Sequence, residues 1–137
     1  MALYKFPKEA RINSGKDFKT VLSYKLFVRN KLMTLYMAPN SISKARFAVS
    51  VSSKVAPAVV RNRLKRLARE VFRLGKSEIA DGFDYLIIYS IMLSKKACSD
   101  IKKITLSEIK QSFIELAEQG RRRFEKRRSK NKDEQVY

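Results

Sequence analysis

The sequence contains no histidine, so it lacks the side chain that most often serves as a general base near neutral pH. Only one cysteine, Cys98, is present, and zinc sites built from Cys and His are therefore excluded. The 13 acidic residues are scattered along the chain, which argues against the carboxylate cluster of a two-metal nuclease. We therefore predict no catalytic side chain and no metal site in the protein itself.

Disulfides and membrane segments are missing as well. A lone cysteine cannot form an internal disulfide, which favours a reducing, cytoplasmic setting. The longest apolar run, Tyr85–Leu93, has the length of a strand and is far shorter than the ~20 residues of a membrane helix. A chain of 137 residues is expected to form one domain, to which we assign residues 1–120.

Positive charge is what the sequence has in excess. It holds 31 basic residues against 13 acidic ones, a formal net charge of +18. A field of this size attracts polyanions, of which nucleic acid is the leading candidate and an anionic membrane surface the second. Eight cations and three acids fall in residues 121–137, which we predict to be a basic tail, disordered or a frayed helix.

Hydrophobic spacing predicts an α+β fold, a two-layer sandwich in the order α-β-β-(β)-α-β-α. Ser14 and Asp17 resemble a capping box before the first helix. Pro57 suits the first turn of the central helix, and Gly120 suits the end of the last one. The predicted helices are Gly15–Tyr24, Pro57–Leu74 and Thr105–Glu118, and the predicted strands are Lys31–Ala38, Ala45–Ser52 and Phe83–Ser90, with room for a short strand at 26–29.

Alternation within the first two long strands predicts a sheet with one covered and one open face. In residues 31–38, Thr34 and Tyr36 point away from the apolar side. In residues 45–52, Ser50 lies on the small, polar side. The side chains predicted to point inward are Met33, Leu35, Met37, Phe47, Val49 and Val51.

The central helix carries the strongest functional signal. Its segment Val59–Arg73 contains six cations and one acid, Glu70. A helix that is basic only for solubility would show mixed signs and Glu–Lys pairs four residues apart, so we favour a phosphate-binding face. Val60, Leu64, Leu67, Ala68, Val71 and Leu74 are predicted to form the inner face, and Asn62, Lys65, Arg66, Arg69 and Arg73 the outer one, with Arg61 and Arg63 at its borders.

The run Ala58–Arg73 resembles the signature helix of the bacterial ribonuclease P protein family. The family's Arg-Asn-Arg motif corresponds to residues 61–63, and its preceding strand to Val49–Lys54. The resemblance covers about residues 8–119, in order and with similar spacing. Its further matches are Glu9–Ile12, Lys16–Phe18, Asn30–Lys31, Leu35–Tyr36 and Gly82–Ile88.

The resemblance implies a fold with a left-handed β-α-β crossover, of the kind seen in the second domain of ribosomal protein S5. It also implies a partner, the catalytic RNA of ribonuclease P, and a substrate, precursor tRNA. The RNA with its bound Mg²⁺ would cleave off the 5′ leader, while the protein acts as an RNA-binding subunit of the endoribonuclease. No membrane or DNA partner is expected.

By resemblance, two sets of residues bind RNA. Phe18 also fits the core, because it has helical spacing with Val21 and Leu22. A general RNA-binding or ribosome-associated protein of the same fold is the alternative function. The set expected on the catalytic RNA is Arg61, Asn62, Arg63, Arg66, Arg69 and Arg73, and the set expected on the leader is Phe18, Thr34, Tyr36, Ser50, Lys65 and Arg61.

Overall fold

The computed structural model describes residues 10–12, 14–90 and 104–135, with side chains described as far as residue 130. The order of elements confirms the predicted α-β-β-β-α-β-α arrangement, including the short strand. Cys98 lies outside the described residues. The elements are α1 (Gly15–Ser23), β1 (Leu26–Arg29), β2 (Met33–Pro39), β3 (Arg46–Ser50), α2 (Ala58–Gly75), a 3₁₀ turn (Lys76–Glu78), β4 (Phe83–Tyr89) and α3 (Leu106–Gln135).

The first helix begins as its sequence predicts. The hydroxyl oxygen of Ser14 accepts a hydrogen bond of 3.0 Å from the backbone N–H of Asp17. This bond satisfies one of the N–H groups that a helix leaves free at its start. Asp17 also places a negative charge in the first turn, where the helix dipole favours it.

The four strands form one sheet in the order β1-β2-β4-β3. β1 pairs antiparallel with β2, and β2 pairs antiparallel with β4. β3 runs parallel to β4, and α2 connects these two neighbours, as the predicted β-α-β crossover requires. Residues 10–12 extend the sheet at its β3 edge, where Arg11 bridges to Phe47 and the Ile12 N–H donates to the Phe47 carbonyl at 3.1 Å.

The two faces of the sheet differ in cover. Helices α2 and α3 pack on one face, where Met33, Leu35 and Met37 are fully buried. Helix α1 covers only part of the other face, with Val21 buried against Ala38 and Leu86. The predicted alternation of the strands is confirmed, because Thr34, Tyr36 and Ser50 remain half-buried on the α1 side.

The inner face of α2 is rotated relative to the prediction. Leu74 was expected inside, and this was wrong, since 43% of its surface is exposed. Phe72 is buried instead, with its ring stacked on Phe47 at a centroid distance of 4.9 Å. Gly75 is also buried, and it lies close to Ile114: a Cβ on residue 75 would be 3.0 Å from Cδ1 of that side chain. Packing between β3 and α3 therefore turns the helix toward Phe72 and Gly75.

The last helix continues beyond Gly120, so the prediction that it ends there was wrong. The glycine is a close-contact position within the helix, where a Cβ would collide with the Met37 sulfur. One turn later, Phe124 packs edge-on against Phe83 with centroids 4.9 Å apart. These contacts hold the start of the basic segment, and α3 runs through the predicted tail as far as Gln135.

Phe124→Ala is expected to lower the free energy of unfolding by about 1–3 kcal/mol, because it removes a half-buried ring from the core. Chemical denaturation of the full chain measures the change. Lys126→Ala, an exposed change in the same helix, is the matched control. Equal stability of the two variants would show that the segment after Gly120 does not pack on the core.

Candidate nucleic-acid interface

The cationic face of α2 is largely free of ion pairs. Asn62, Arg66 and Arg69 are exposed, while Lys65 and Arg73 are half-buried. Among the six cations of the helix, ion pairing within the described residues involves Arg73 alone, whose Nε lies 3.2 Å from Glu70. The hydrogen bond from Arg73 lowers the pKa of the Glu70 carboxyl, so the acid stays charged and compensates one cation. The rest of the face is left with uncompensated positive charge.

The border residues of this face are partly structural. Arg63 is exposed, yet its Nη2 donates a 2.7 Å hydrogen bond to the Ile104 carbonyl and so links α2 to the start of α3. Arg61 is half-buried, and within the described part of the chain its buried Nε has no hydrogen-bond partner. Arg61, Lys65 and Arg69 are spaced by four residues, so they follow one side of the helix.

The open face of the sheet carries the predicted leader residues in register. Thr34 pairs with Ile88, and Ile88 pairs in turn with Ser50, so these three side chains form a row across β2, β4 and β3. Tyr36 lies in the neighbouring row, opposite Phe27 of β1. The structure therefore brings Thr34, Tyr36 and Ser50 together on one surface.

Phe18 and Arg69 line one cleft at the β3 edge of this surface. Phe18 is half-buried and packs against the cluster of Val21, Ala38 and Leu86, as its helical spacing allows. It also lines a cleft of about 270 Å³ that joins the cationic side of α2 to the open face. Arg11 was not among the predicted site residues, since its place depends on pairing with the edge strand. The residues of the cleft are Arg11, Ile12, Phe18, Phe47, Ala48, Val49 and Arg69.

Arg46 links α1 to the sheet through two carboxylates. Arg46 donates to both carboxylate oxygens of Asp84, at 2.8 and 2.7 Å, and its Nη1 lies 3.3 Å from Asp17 in α1. The hydrogen bond to Asp84 raises the pKa of the Arg46 guanidinium. Arg46 therefore contacts both carboxylates, that of Asp17 in α1 and that of Asp84 in β4, and connects the helix to the sheet.

The described residues provide no set of three or more His, Cys, Asp or Glu side chains that could hold a metal ion. Within the same residues, no helix combines the length and the apolar character needed to cross a membrane.

Comparison with known proteins shows the family of this chain. The ribonuclease P family model matches residues 6–119. The chain belongs to the ribonuclease P protein family. It is 34% identical over 121 residues to the ribonuclease P protein component of Dictyoglomus turgidum, covering 88% of this chain and 96% of that protein. A protein of the same name from Clostridium acetobutylicum is 39% identical over 97 residues, 69% of this chain and 82% of its own.

The fold also agrees with that of a solved ribonuclease P protein. The RNase P protein of Thermotoga maritima is similar with a TM-score of 0.70 and 25% identity, over 80% of this chain and 96% of that chain. Membership of the ribonuclease P family supports RNA binding in general. The division of the site residues between catalytic RNA and leader stays a prediction.

Arg66→Ala is expected to reduce the slope of log K against log salt for RNA binding by about one, because one phosphate contact is lost. Its thermal stability should be unchanged, since Arg66 is exposed. Arg63→Ala should reduce the slope similarly and also cost about 1 kcal/mol of unfolding free energy through the lost bond to Ile104. Binding titrations at several salt concentrations test both; an unchanged slope for Arg66→Ala removes that residue from the interface.

Proposed function

We propose that this chain is the RNA-binding subunit of ribonuclease P, which binds the catalytic RNA and the 5′ leader of precursor tRNA and promotes endonucleolytic removal of the leader. The observation that carries the proposal is the cleft at the β3 edge. It connects Arg69 of the basic helix to Phe18 beside the open face, so one continuous surface offers cations and aromatic rings together.

The basic helix suits a structured RNA partner. Its exposed guanidinium groups can each donate two parallel hydrogen bonds to a phosphate, which fixes orientation as well as supplying attraction. The exposed members Asn62, Arg66 and Arg69 are expected to bind the catalytic RNA, together with Arg63 and Arg73 where their protein contacts leave donors free. Arg61 and Lys65, on the side of α2 that also carries Arg69, are expected to contribute at the border with the leader.

The open face suits a single strand. Single-stranded RNA is recognised largely by stacking of its bases on aromatic side chains, at about 1–3 kcal/mol per base. Tyr36 offers a half-buried ring, and the half-buried Thr34, Ile88 and Ser50 form the row beside it. A leader held here would be positioned relative to the catalytic RNA on α2, because Phe18 beside the open face and Arg69 of α2 line the same cleft.

The cleavage chemistry is assigned to the RNA partner. Mg²⁺ bound by that RNA would supply the activated water and stabilise the leaving oxygen. The protein contributes positive charge and positioning. Its cations screen the repulsion between the two RNA molecules, and the open face holds the leader in one position.

Tyr36→Ala is expected to weaken binding of leader-bearing precursor tRNA roughly tenfold, the loss of one stacked base, and to leave binding of mature tRNA unchanged. Affinities of the reconstituted holoenzyme for the two RNAs measure this. Tyr36→Phe keeps the ring and serves as the matched control. Equal losses for both RNAs would assign Tyr36 a structural role only.

Reconstitution with a bacterial catalytic RNA at low Mg²⁺ tests the proposed function as a whole. Adding the chain should restore cleavage of precursor tRNA, because its cations replace part of the screening that Mg²⁺ otherwise provides. A variant carrying Arg66→Glu and Arg69→Glu should fail to restore it. The general RNA-binding alternative predicts binding that is independent of leader length and no gain in cleavage.

A further inference from the structure

Two exposed aromatic rings lie at the corner where α1 ends and β1 begins. Tyr24 is 37% exposed and Phe27 is 40% exposed, and within the described residues no other aromatic side chain is so open to solvent. The Phe27 ring lies 5.3 Å from Tyr36, tilted by 35°, so it extends the aromatic surface of the open face to the β1 edge. Exposed rings grouped beside a binding face require an explanation beyond chance exposure.

Arginines of α3 brace this corner from below. Arg123 donates to the Phe27 carbonyl at 2.8 Å, and Arg127 donates to the Lys25 carbonyl at 2.6 Å. The guanidinium of Arg127 also lies over the Tyr24 ring, 6.0 Å from its centroid. The rings are thereby held next to fixed positive charge, which lowers the ordering cost of binding an anionic strand.

The surrounding helix adds further charge. Residues 121–130 contain seven cations and one acid. Glu118 and Glu125 pair with Arg121 and Arg122, whereas the exposed Lys126, Arg128 and Lys130 form no ion pair within the described part of the chain. This part of α3 lies beyond residue 119, where the match to the family ends.

We propose that the β1-edge corner, defined as Tyr24, Phe27, Arg123 and Arg127, is a second site for single-stranded RNA. Its occupant is the distal part of the leader, which has crossed the open face and stacks on Phe27 and Tyr24 while its phosphates face the cations of α3. Aromatic rings with neighbouring arginines are the general means of holding a single strand without sequence preference. The inference rests on the proposed function, because it extends the leader path of the same surface.

The width of the sheet sets the length at which the corner is reached. Four strands at a spacing of about 4.8 Å span roughly 14 Å. A stacked strand rises by about 3.4 Å per nucleotide, so about four nucleotides cross the face before the corner. Leaders shorter than this cannot reach Phe27 from the β3 edge, and longer ones can.

The test measures the affinity of the holoenzyme, with full-length chain, for precursor tRNA carrying leaders of zero, about four and about ten nucleotides. With the unaltered chain, affinity should rise at each extension. The double variant Tyr24→Ala/Phe27→Ala should abolish the second rise, a loss of roughly tenfold or more for the ten-nucleotide leader. Ile42→Ala, an exposed apolar residue on the β2–β3 connection, is the matched control and should keep both.

The outcomes separate this inference from the proposed function. If the unaltered chain shows the rise in affinity at about four nucleotides but not the rise at about ten, the corner is not a leader site. The same holds if the double variant retains both rises. In either case the open face remains the proposed leader site. If there is no rise at all, both fail. Because Phe27 touches Tyr36, Tyr24→Ala alone provides a variant that spares the open face, and it should reduce only the second rise. Thermal melts of each variant establish that its fold is intact.

Discussion

The central position of β4 is the constraint on which the rest of the molecule depends. β4 pairs antiparallel with β2 on one side and parallel with β3 on the other, and six of its seven side chains are buried. The parallel pairing requires a crossover, and the crossover is α2. The basic helix is therefore placed beside β3 by the same pairing that brings Thr34, Ile88 and Ser50 into one row. The pairing of β4 thus determines both the position of the basic helix and the row of side chains on the open face.

A charged interaction at the start of β4 completes this arrangement. Asp84 is the one buried charged residue among the described positions, and Arg46 and the Asn40 amide both donate to it. A buried carboxylate is tolerated only when its hydrogen bonds are satisfied. Because Arg46 also contacts Asp17 of α1, satisfying the carboxylate simultaneously fixes the helix over the sheet. The partly exposed Arg46–Asp17 pair thus adds an electrostatic contact to the packing of Val21 on Ala38 and Leu86, which sets the position of α1.

Most of the fold could be predicted from the sequence, because it depends on local periodicity. The alternation in β2 and β3 predicted that Thr34, Tyr36 and Ser50 share one face, and Ser14 indicated the start of α1. The rotation of α2 toward Phe72 could not be predicted, since it depends on the Phe47 ring and on Gly75 beside Ile114. The wrong prediction that the last helix ends at Gly120 has a related reason. Glycine both ends helices and admits close neighbours, and only the tertiary contact with Met37 distinguishes the two uses.

Part of the candidate site could be predicted from the sequence, and part depends on tertiary contacts. The cationic face of α2 is a property of one helix and is visible in its spacing, whereas the cleft shared by Phe18, Arg11 and Arg69 combines three distant segments. The partners of Arg63, Arg123 and Arg127 are backbone carbonyls, which carry no sequence signal. The cations could therefore be predicted from the sequence, whereas the difference between those that hydrogen-bond to the fold and those that remain unpaired within the described residues could not.

The two outer strands of the sheet have a consequence for solubility. An edge strand presents unpaired backbone groups that can pair with another molecule. Here the Phe47 carbonyl on β3 accepts from Ile12, and the Phe27 carbonyl on β1 accepts from Arg123. The first cover comes from the amino end of the chain and the second from its last helix. One backbone acceptor on each edge strand is thereby already occupied, which leaves fewer free backbone groups for pairing with another molecule.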